Sequence, residues 1–211
     1  MDLAPLLNGQ WEFRVEHKGI RVFSARIAGS ELHGFKGEIT LQVSFRRLIS
    51  LFYDMGNYRR WVHHLAEMEI VDKSEEMEYV LRQVIEVPWP LKAREVLMHS
   101  ALLPSVDNML AVGMESVPDY LPPNPRYHRV RQASGLWLFA PEADGRVTVI
   151  FLMYLDPGPD IPSALSNAGM FEVPFYTLNN LRSLVEDQAY TPPWPVELDS
   201  FIIIDDAPDT T

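Results

Sequence analysis

Cysteine is absent from this chain of 211 residues. Without thiols the protein can form no disulfide framework, no thiolate metal site and no cysteine nucleophile. Long apolar runs are missing as well, since none approaches the roughly 20 residues that a membrane-spanning helix needs. Residues 1–5 have neither the basic start nor the apolar stretch of a secretory signal peptide. These absences predict a cytoplasmic protein.

Positive charge is also scarce. The chain has 18 Lys and Arg against 29 Asp and Glu, which gives a formal net charge of -11 at pH 7. Nucleic-acid binding needs a clustered positive surface for the phosphates, so we expect no nucleic-acid partner. The same deficit disfavours strong electrostatic attraction to anionic membranes. Membrane contact is therefore expected to be transient and mainly apolar.

The common catalytic motifs are missing too. The sequence contains no His-Glu-x-x-His helix, no phosphate-cradling glycine loop and no Gly-x-Ser-x-Gly elbow. His63 and His64 are adjacent, and in an extended segment adjacent rings point to opposite faces, which predicts poor metal co-ligands. Arg94 and Glu95 are interpreted as an ion pair at a strand end rather than as an acid–base pair. We expect no catalytic residue, no metal and no cofactor.

What the chain does contain is a series of segments with strand-like patterns. They cover residues 11–15, 20–27, 34–43, 65–73, 76–87, 93–103, 109–117, 126–140 and 146–155. Ser44 suits the cap of a helix over 45–55, followed by a helical turn over 58–62. Asp160 and Pro162 suit the start of a last helix that reaches about residue 185. Because no β-α-β alternation is seen, we predict an α+β fold in which a curved antiparallel sheet wraps around this long C-terminal helix.

Two stretches carry a family resemblance. Asp156-Pro-Gly-Pro-Asp-Ile-Pro162 follows a predicted hairpin and leads into the last helix, and Pro88-Trp-Pro-Leu-Lys-Ala-Arg-Glu-Val96 lies upstream. They resemble, in this order, the Asp-Pro-Gly-Gly-x-Ile-Pro and Pro-x-Pro-x-x-x-Arg-Asp-aromatic segments of START (steroidogenic acute regulatory protein-related lipid transfer) domains. The resemblance implies the helix-grip fold with a short helix pair after the third strand. It also implies one lipid-binding domain over residues 1–190 and a proline-rich acidic tail over residues 191–211.

The resemblance further implies an internal cavity for one hydrophobic ligand, such as a sterol, a fatty acid or a phospholipid. Strand alternation supplies the faces. The resemblance selects the inner face in residues 93–103 and in residues 146–155, where both faces are apolar. The candidate ligand-binding residues are Gln83, Val96, Met98, Ser100, Trp137, Phe151, Met153, Phe171, Phe175, Leu178 and Asn179. Of these, Gln83, Ser100 and Asn179 are the candidates for orienting a polar head group. Ser100 stands where the sterol-binding members carry a buried arginine, which predicts a less polar cavity.

The expected function is to bind this ligand as a monomer, without catalysis, and to transfer or present it. We expect brief membrane contact at residues 118–125, at the loop near Trp89 and at the N-terminal half of the last helix. Gly169 and Pro174 weaken that helix, and we predict a kink at the proline and local opening nearby.

Two alternatives stay open. One is a cyclase or hydrolase of the related fold that acts on an aromatic or polyketide-like substrate, which requires an acid or base with a shifted pKa in the cavity. The other concerns residues 201–204, Phe-Ile-Ile-Ile. We expect residues 196–211 to lie outside the domain proper, with two alternatives for residues 201–204. Either they pack on their own domain or are left disordered between acidic residues, or they dock as a strand on the sheet edge of a partner. The first of these two is favoured.

Overall fold

The computed structural model describes residues 3–74, 77–106, 109–169 and 171–200. Its strands form one sheet with the order β1-β2-β3-β10-β9-β7-β6-β5-β4, and β8 pairs with β6 in parallel. All other pairings are antiparallel. The strands are β1 (Glu12–His17), β2 (Ile20–Arg26), β3 (His33–Leu41), β4 (Leu65–Lys73), β5 (Tyr79–Ile85), β6 (Arg94–Val106), β7 (Met109–Ser116), β8 (His128–Arg129), β9 (Ala133–Pro141) and β10 (Val147–Leu155).

Helices lie at both ends of the chain and after the third strand. They are α1 (Ala4–Leu7), α2 (Phe45–Tyr53), α3 (Ser163–Gly169) and α4 (Glu172–Glu186), with 3-10 helices at Met55–Arg60 and Val196–Ser200. Ser44 caps α2 as predicted, because its side-chain oxygen accepts a hydrogen bond from the Arg47 amide at 3.3 Å. The predicted α+β fold is confirmed, with a helix pair after β3 and a long C-terminal helix against the sheet.

The position of the break in the last helix differs from the prediction. We predicted one helix with a kink at Pro174, whereas α3 ends at Gly169 and α4 begins at Glu172. Pro174 lies in the first turn of α4, where backbone N–H groups have no partner within the helix, so its missing N–H costs little. None of the residues of α3 is buried. The glycine, rather than the proline, therefore stands at the break.

Strand β10 is apolar on both faces because both faces are covered. Val149 and Phe151 belong to the main core, which also contains residues of α2 and α4. Leu152 points to the opposite face and packs with Leu3 and Leu6 at α1. The N-terminal segment thus covers the outer face of the sheet. Alternation alone could not identify the inner face of β10, and the face selected by the resemblance is the one that faces α4.

Helix α4 packs closely against the sheet at Gly37 of β3. A Cβ atom at Gly37 would lie 2.7 Å from Cδ1 of Leu178 and 2.9 Å from Cβ of Pro174. Both α4 residues are buried, and Leu178 is completely inaccessible to solvent. The missing side chain at Gly37 is therefore what allows the helix to rest directly on the backbone of β3.

Arg94 and Glu95 do not pair with each other, so the predicted ion pair is wrong. Adjacent strand residues point to opposite faces, and both side chains are buried. Glu95 accepts hydrogen bonds from Arg82 Nε at 2.6 Å and from Arg129 Nη2 at 2.8 Å. Arg94 instead donates to the carbonyl oxygens of Pro157 at 3.0 Å and Lys92 at 2.5 Å. Arg129 also donates to backbone carbonyls within residues 118–125, which fastens this proline-rich loop to β6.

The first part of the C-terminal tail packs on the domain, which corrects the expectation for residues 196–200. Leu198 is fully buried in the main core. Arg46 lies over the Trp194 ring at 4.3 Å, and Lys73 pairs with Glu197 at 2.7 Å. Residues 201–204 lie outside the described residues, so both alternatives for this segment stay predictions.

We predict that Gly37→Ala destabilises the protein, because the new methyl group meets the rigid ring of Pro174 and the enclosed side chain of Leu178. Overpacking of this kind costs about 1–3 kcal/mol in the free energy of unfolding, measured by urea denaturation. Gly135→Ala in β9 is the matched control. Its Cβ would meet Met114 Cε at 2.6 Å and Met153 Sδ at 3.2 Å, the flexible ends of two side chains. Equal losses in the two variants would contradict the proposed role of Gly37.

Candidate functional site

A cavity of about 190 Å³ lies between the inner face of the sheet and the helices. For comparison, an apolar cavity of about 150 Å³ holds one benzene molecule. The aromatic lining residues are Phe35, Phe52, Tyr58, Trp61, Trp137 and Phe151. The aliphatic and methionine lining residues are Val62, Leu81, Ile85, Met98, Met114, Met153, Leu155 and Val173. The remaining lining residues are polar: His33, His63, His64, Gln83, Ser100 and Thr177.

One end of the sheet forms what we call the mouth end of the cavity. The lining residues Ile85 and Leu155 are the last residues of β5 and β10, and His33 is the first residue of β3. Antiparallel pairing brings these strand termini to the same end of the sheet. The loop that contains Trp89 follows β5 directly, so it begins at this end of the sheet. Trp89 is 91% exposed.

Stacked aromatic rings form a rigid wall. Trp137 and Phe151 face each other across β9 and β10, with ring centroids 4.0 Å apart and planes inclined by 10°. Trp61 meets Trp137 edge-on at 5.7 Å, and Phe52 does so at 5.5 Å. Rings that hold one another in this way lose little further freedom when a ligand contacts them.

Two polar atoms near the cavity lack partners. Trp61 Nε1 and His63 Nε2 are buried, and neither has a hydrogen-bond partner within the described part of the chain. By contrast, the Tyr58 hydroxyl donates to the carbonyl oxygen of Phe52 at 2.6 Å. A buried, unsatisfied polar group costs about 1–3 kcal/mol. An oxygen on a ligand could accept from the Trp61 indole, which makes Trp61 a candidate for head-group recognition.

The two adjacent histidines lie side by side, so the predicted divergence of their rings is wrong. The ring centroids of His63 and His64 are 3.7 Å apart. The reason is that the segment is a turn and not an extended strand, since His64 has φ +60°. Burial, followed by the neighbouring His64, lowers the pKa of His63, and Glu172 acts in the opposite direction. The lowered pKa favours the uncharged form of the His63 imidazole.

Six of the predicted ligand-binding residues line the cavity. They are Gln83, Met98, Ser100, Trp137, Phe151 and Met153. All six lie on strands, where a period of two residues groups side chains on one face. For Met98, Ser100, Phe151 and Met153 the family resemblance selected that face as the inner one. Their binding role stays a prediction, because position in a wall does not demonstrate contact with a ligand.

Five predicted residues are not among those that line the cavity, four of them on or beside α4. Val96 is buried in the core beside the cavity, and Leu178 rests on Gly37. The Asn179 side-chain oxygen accepts from Arg182 Nη2 at 2.8 Å. Phe175 contacts the His17 ring, with centroids 5.4 Å apart, and Phe171 precedes α4 at its N-cap. The side chains that α4 contributes are instead Val173 and Thr177, one helical turn apart.

Several lining residues were not predicted. Phe52, Tyr58 and Trp61 come from the helix pair after β3, and His63 and His64 come from the turn that follows it. The apolar face of α2 was a usable signal for Phe52. The turn has no period from which a side-chain direction can be predicted.

Charged side chains of arginine, lysine, aspartate and glutamate are absent from the described lining of the cavity. Arg82 pairs with Glu95 and Glu67, while Arg94 bonds to backbone carbonyls. Neither arginine lines the cavity, which fits the expectation of a less polar floor near Ser100. Among the described residues, no helix is long and apolar enough to cross a membrane.

Comparison with known proteins gives a consistent picture. A family model described as START domain matches residues 38–186. A STAR-related lipid transfer protein fragment from Xanthomonas axonopodis has 32% sequence identity and a TM-score of 0.77, covering 84% of this chain and 99% of that one. Uncharacterized protein PA1579 of Pseudomonas aeruginosa is 27% identical over 176 residues, or 83% of this chain and 87% of the relative. Human StAR-related lipid transfer protein 5 shares the fold, with 14% identity, a TM-score of 0.75 and coverage of 85% and 88%.

We predict that Ser100→Leu leaves the free energy of unfolding unchanged or raises it, because the larger side chain can extend into empty space. The control is Ser50→Leu in α2, since Ser50 is also buried but is not part of the cavity wall. In a packed site the extra volume costs about 1–3 kcal/mol, which urea denaturation resolves. A similar loss in both variants would show that the space beside Ser100 is filled.

Proposed function

Because this chain belongs to the START domain family, we propose that it binds one hydrophobic, lipid-like ligand in its cavity and transfers or presents it. The apolar space enclosed between the sheet and α4 is the observation that carries this proposal. Burial of each CH₂ group contributes about 0.8 kcal/mol, so binding requires no catalytic residue. The protein acts as a monomer in this proposal, and its lack of cysteine is compatible with the cytoplasm.

The size of the cavity restricts what it accepts without rearrangement. Small-molecule pockets commonly measure about 300–1,000 Å³, and this cavity measures about 190 Å³. A single ring or a short acyl chain fits the closed form. A sterol or a phospholipid requires the cavity to widen. Helix α3 buries none of its residues, so its displacement costs little free energy, and we expect α3 to be the element that moves.

Helix α3 is attached to the body mainly through polar contacts with the segment before β3. Asn167 accepts from the His33 amide at 3.0 Å and donates to the Glu31 carbonyl at 3.0 Å. Ser163 adds a hydrogen bond to the Glu31 carboxylate at 3.2 Å. The two bonds to Glu31 are exposed and the bond to the His33 amide is partly buried. Because water can replace exposed bonds and α3 buries none of its residues, α3 can separate without uncovering apolar core. We propose that the ligand enters and leaves beside α3.

A second candidate function is an enzyme that acts on an aromatic or polyketide-like substrate. The observation in its favour is the position of His63 at the cavity wall, where its lowered pKa favours the uncharged imidazole that could accept a proton from a bound molecule. The carrier remains the better supported function, because the described lining offers apolar surface on nearly every side.

Uptake of hydrophobic molecules tests the proposal directly. Purified protein is extracted with organic solvent for mass spectrometry and is then titrated with fluorescent fatty-acid, sterol and phospholipid probes. We expect saturable uptake of at least one probe, quenching of Trp61 and Trp137, and weaker uptake by Ser100→Leu because that side chain occupies part of the cavity.

The chemical state of the recovered probe separates the two functions. An unaltered probe supports a carrier, whereas a chemically changed probe, with turnover lost in His63→Gln, supports an enzyme. Failure of folded protein to take up any probe, together with an extract free of hydrophobic molecules, would remove the carrier proposal.

Transfer between membranes requires contact at the mouth end of the cavity. Trp89 is the most exposed large apolar side chain of the described residues, and its loop follows the cavity-lining Ile85. Trp side chains favour the boundary between water and lipid. With a net charge of -11, the protein gains little from electrostatic attraction, so a single apolar anchor matters more.

We predict that Trp89→Ala slows probe transfer between vesicles about tenfold, because burial of a large apolar side chain contributes about 1.5–3 kcal/mol. Probe affinity in the absence of vesicles should stay unchanged. Val196→Ala is the control, since Val196 is 72% exposed and its neighbour Glu197 pairs with Lys73 at the opposite end of β4. Equal transfer rates for Trp89→Ala and the unmodified protein would exclude this loop as the contact.

A further inference from the structure

We infer that His63, His64 and Glu172 form a binding site for a divalent transition-metal ion at the mouth end of the cavity. One ligand-capable atom from each side chain lies within 4.8 Å of the other two. His63 and His64 come from the turn before β4, and Glu172 is the first residue of α4. The three donors thus join two segments that are more than a hundred residues apart in the sequence. This inference does not depend on the proposed lipid ligand.

The backbone of the turn holds the two histidines in place. The His63 amide donates to Thr177 Oγ1 of α4 at 3.2 Å. The His64 carbonyl oxygen accepts from the Glu86 amide at 2.9 Å. Between these anchors His64 adopts φ +60°, a conformation that residues other than glycine seldom adopt. Because of this conformation, two consecutive imidazole rings lie on the same side of the chain.

Helix α4 contributes both the third donor and a support for the first. Glu172 and Tyr176 are four residues apart and therefore share one face of the helix. The Tyr176 ring stacks on the His63 ring, with centroids 4.7 Å apart and planes inclined by 28°. His63 Nε2 is buried and has no hydrogen-bond partner among the described residues. Tyr176 thereby restrains an imidazole that still has an unused nitrogen.

The donor set matches a small group of metals. Two imidazoles with one carboxylate suit Zn²⁺ and neighbouring divalent transition metals, whereas Ca²⁺ and Mg²⁺ prefer oxygen donors alone. Around a tetrahedral ion with bonds of about 2 Å, the donor atoms stand roughly 3.3 Å apart. Since the donor atoms lie at most 4.8 Å apart, the side chains must close by no more than about 1.5 Å. His64 and Glu172 are exposed and can rotate to do so. Three protein donors leave the fourth position for water.

An ion at this site would tie the start of α4 to the turn before β4. Glu172 is exposed, and its carboxylate lies within 4.8 Å of a ring nitrogen of each histidine. Metal bonds from both segments would oppose separation of the two. The expected consequence is slower local opening of residues 172–177, a property that adventitious binding at one surface side chain does not produce.

The experiment uses full-length protein purified without a histidine tag and stripped of metal by a chelator. Zn²⁺ binding is measured by calorimetry, and Co²⁺ serves as the probe whose visible absorption reports coordination by nitrogen. We expect one ion per chain. His64→Gln and Glu172→Gln should each weaken Zn²⁺ binding at least tenfold. Removing a group that only hydrogen-bonds to a metal ligand already lowers metal affinity about 10–100-fold, and these two residues are ligands themselves. Both residues are exposed, so circular dichroism should show both variants folded.

His99→Gln is the matched control. His99 also stands beside a carboxylate, with Nε2 3.1 Å from the Glu78 oxygen, but that pair belongs to a different part of the sheet. Zn²⁺ should slow hydrogen exchange over residues 172–177 in the unmodified protein and in His99→Gln, and a chelator should reverse the effect. Equal Zn²⁺ affinity in the unmodified protein and Glu172→Gln, or an equal loss in His99→Gln, would overturn the inference.

Discussion

The contact of α4 with the backbone of Gly37 determines where the protein is solid and where it is hollow. Leu178 and Pro174 rest on β3 at a point where any side chain would collide with them. Helix α4 consequently contacts β2 and β3 of the sheet, and it also contacts α2. On the inner faces of β5, β6 and β7, Leu81, Met98 and Met114 line the cavity instead. Close packing at one strand and a cavity at the others are therefore two results of one helix position.

Strand periodicity predicted much of the fold and one side of the candidate site. It placed Gln83 on the face that lines the cavity, because alternate residues of a strand share a face, and the family resemblance placed Met98 and Ser100 there. The same rule failed to predict the helical wall. Which residues of α4 face the cavity depends on how the helix is rotated on the sheet, and the contact at Gly37 decides that rotation. Val173 and Thr177 take the places expected for Phe175 and Leu178, because Leu178 is already engaged with β3.

The turn between the 3-10 helix and β4 was beyond prediction for a different reason. Side-chain directions there follow from the positive φ of His64. Two tertiary hydrogen bonds maintain this backbone conformation. The sequence gives no sign of it, because no glycine stands next to His64. Prediction from strand periodicity assumes an extended segment and therefore placed the rings of His63 and His64 on opposite faces. Residues with unusual backbone angles concentrate at functional sites, where surrounding structure sustains the strain. The failed prediction and the proposed metal site thus have the same physical origin.

A carrier must reconcile a closed apolar cavity with exchange of its contents, and the divided C-terminal helix offers a way to do both. Residues Pro174, Leu178 and Leu181 keep α4 in the core, and moving them would expose apolar surface. Helix α3 is held differently, since none of its residues is buried and Asn167 and Ser163 attach it through hydrogen bonds to residues 31 and 33. Displacing α3 alone exchanges protein hydrogen bonds for bonds to water, at small net cost. A metal ion at Glu172 would hold α4 still and leave the movement to α3.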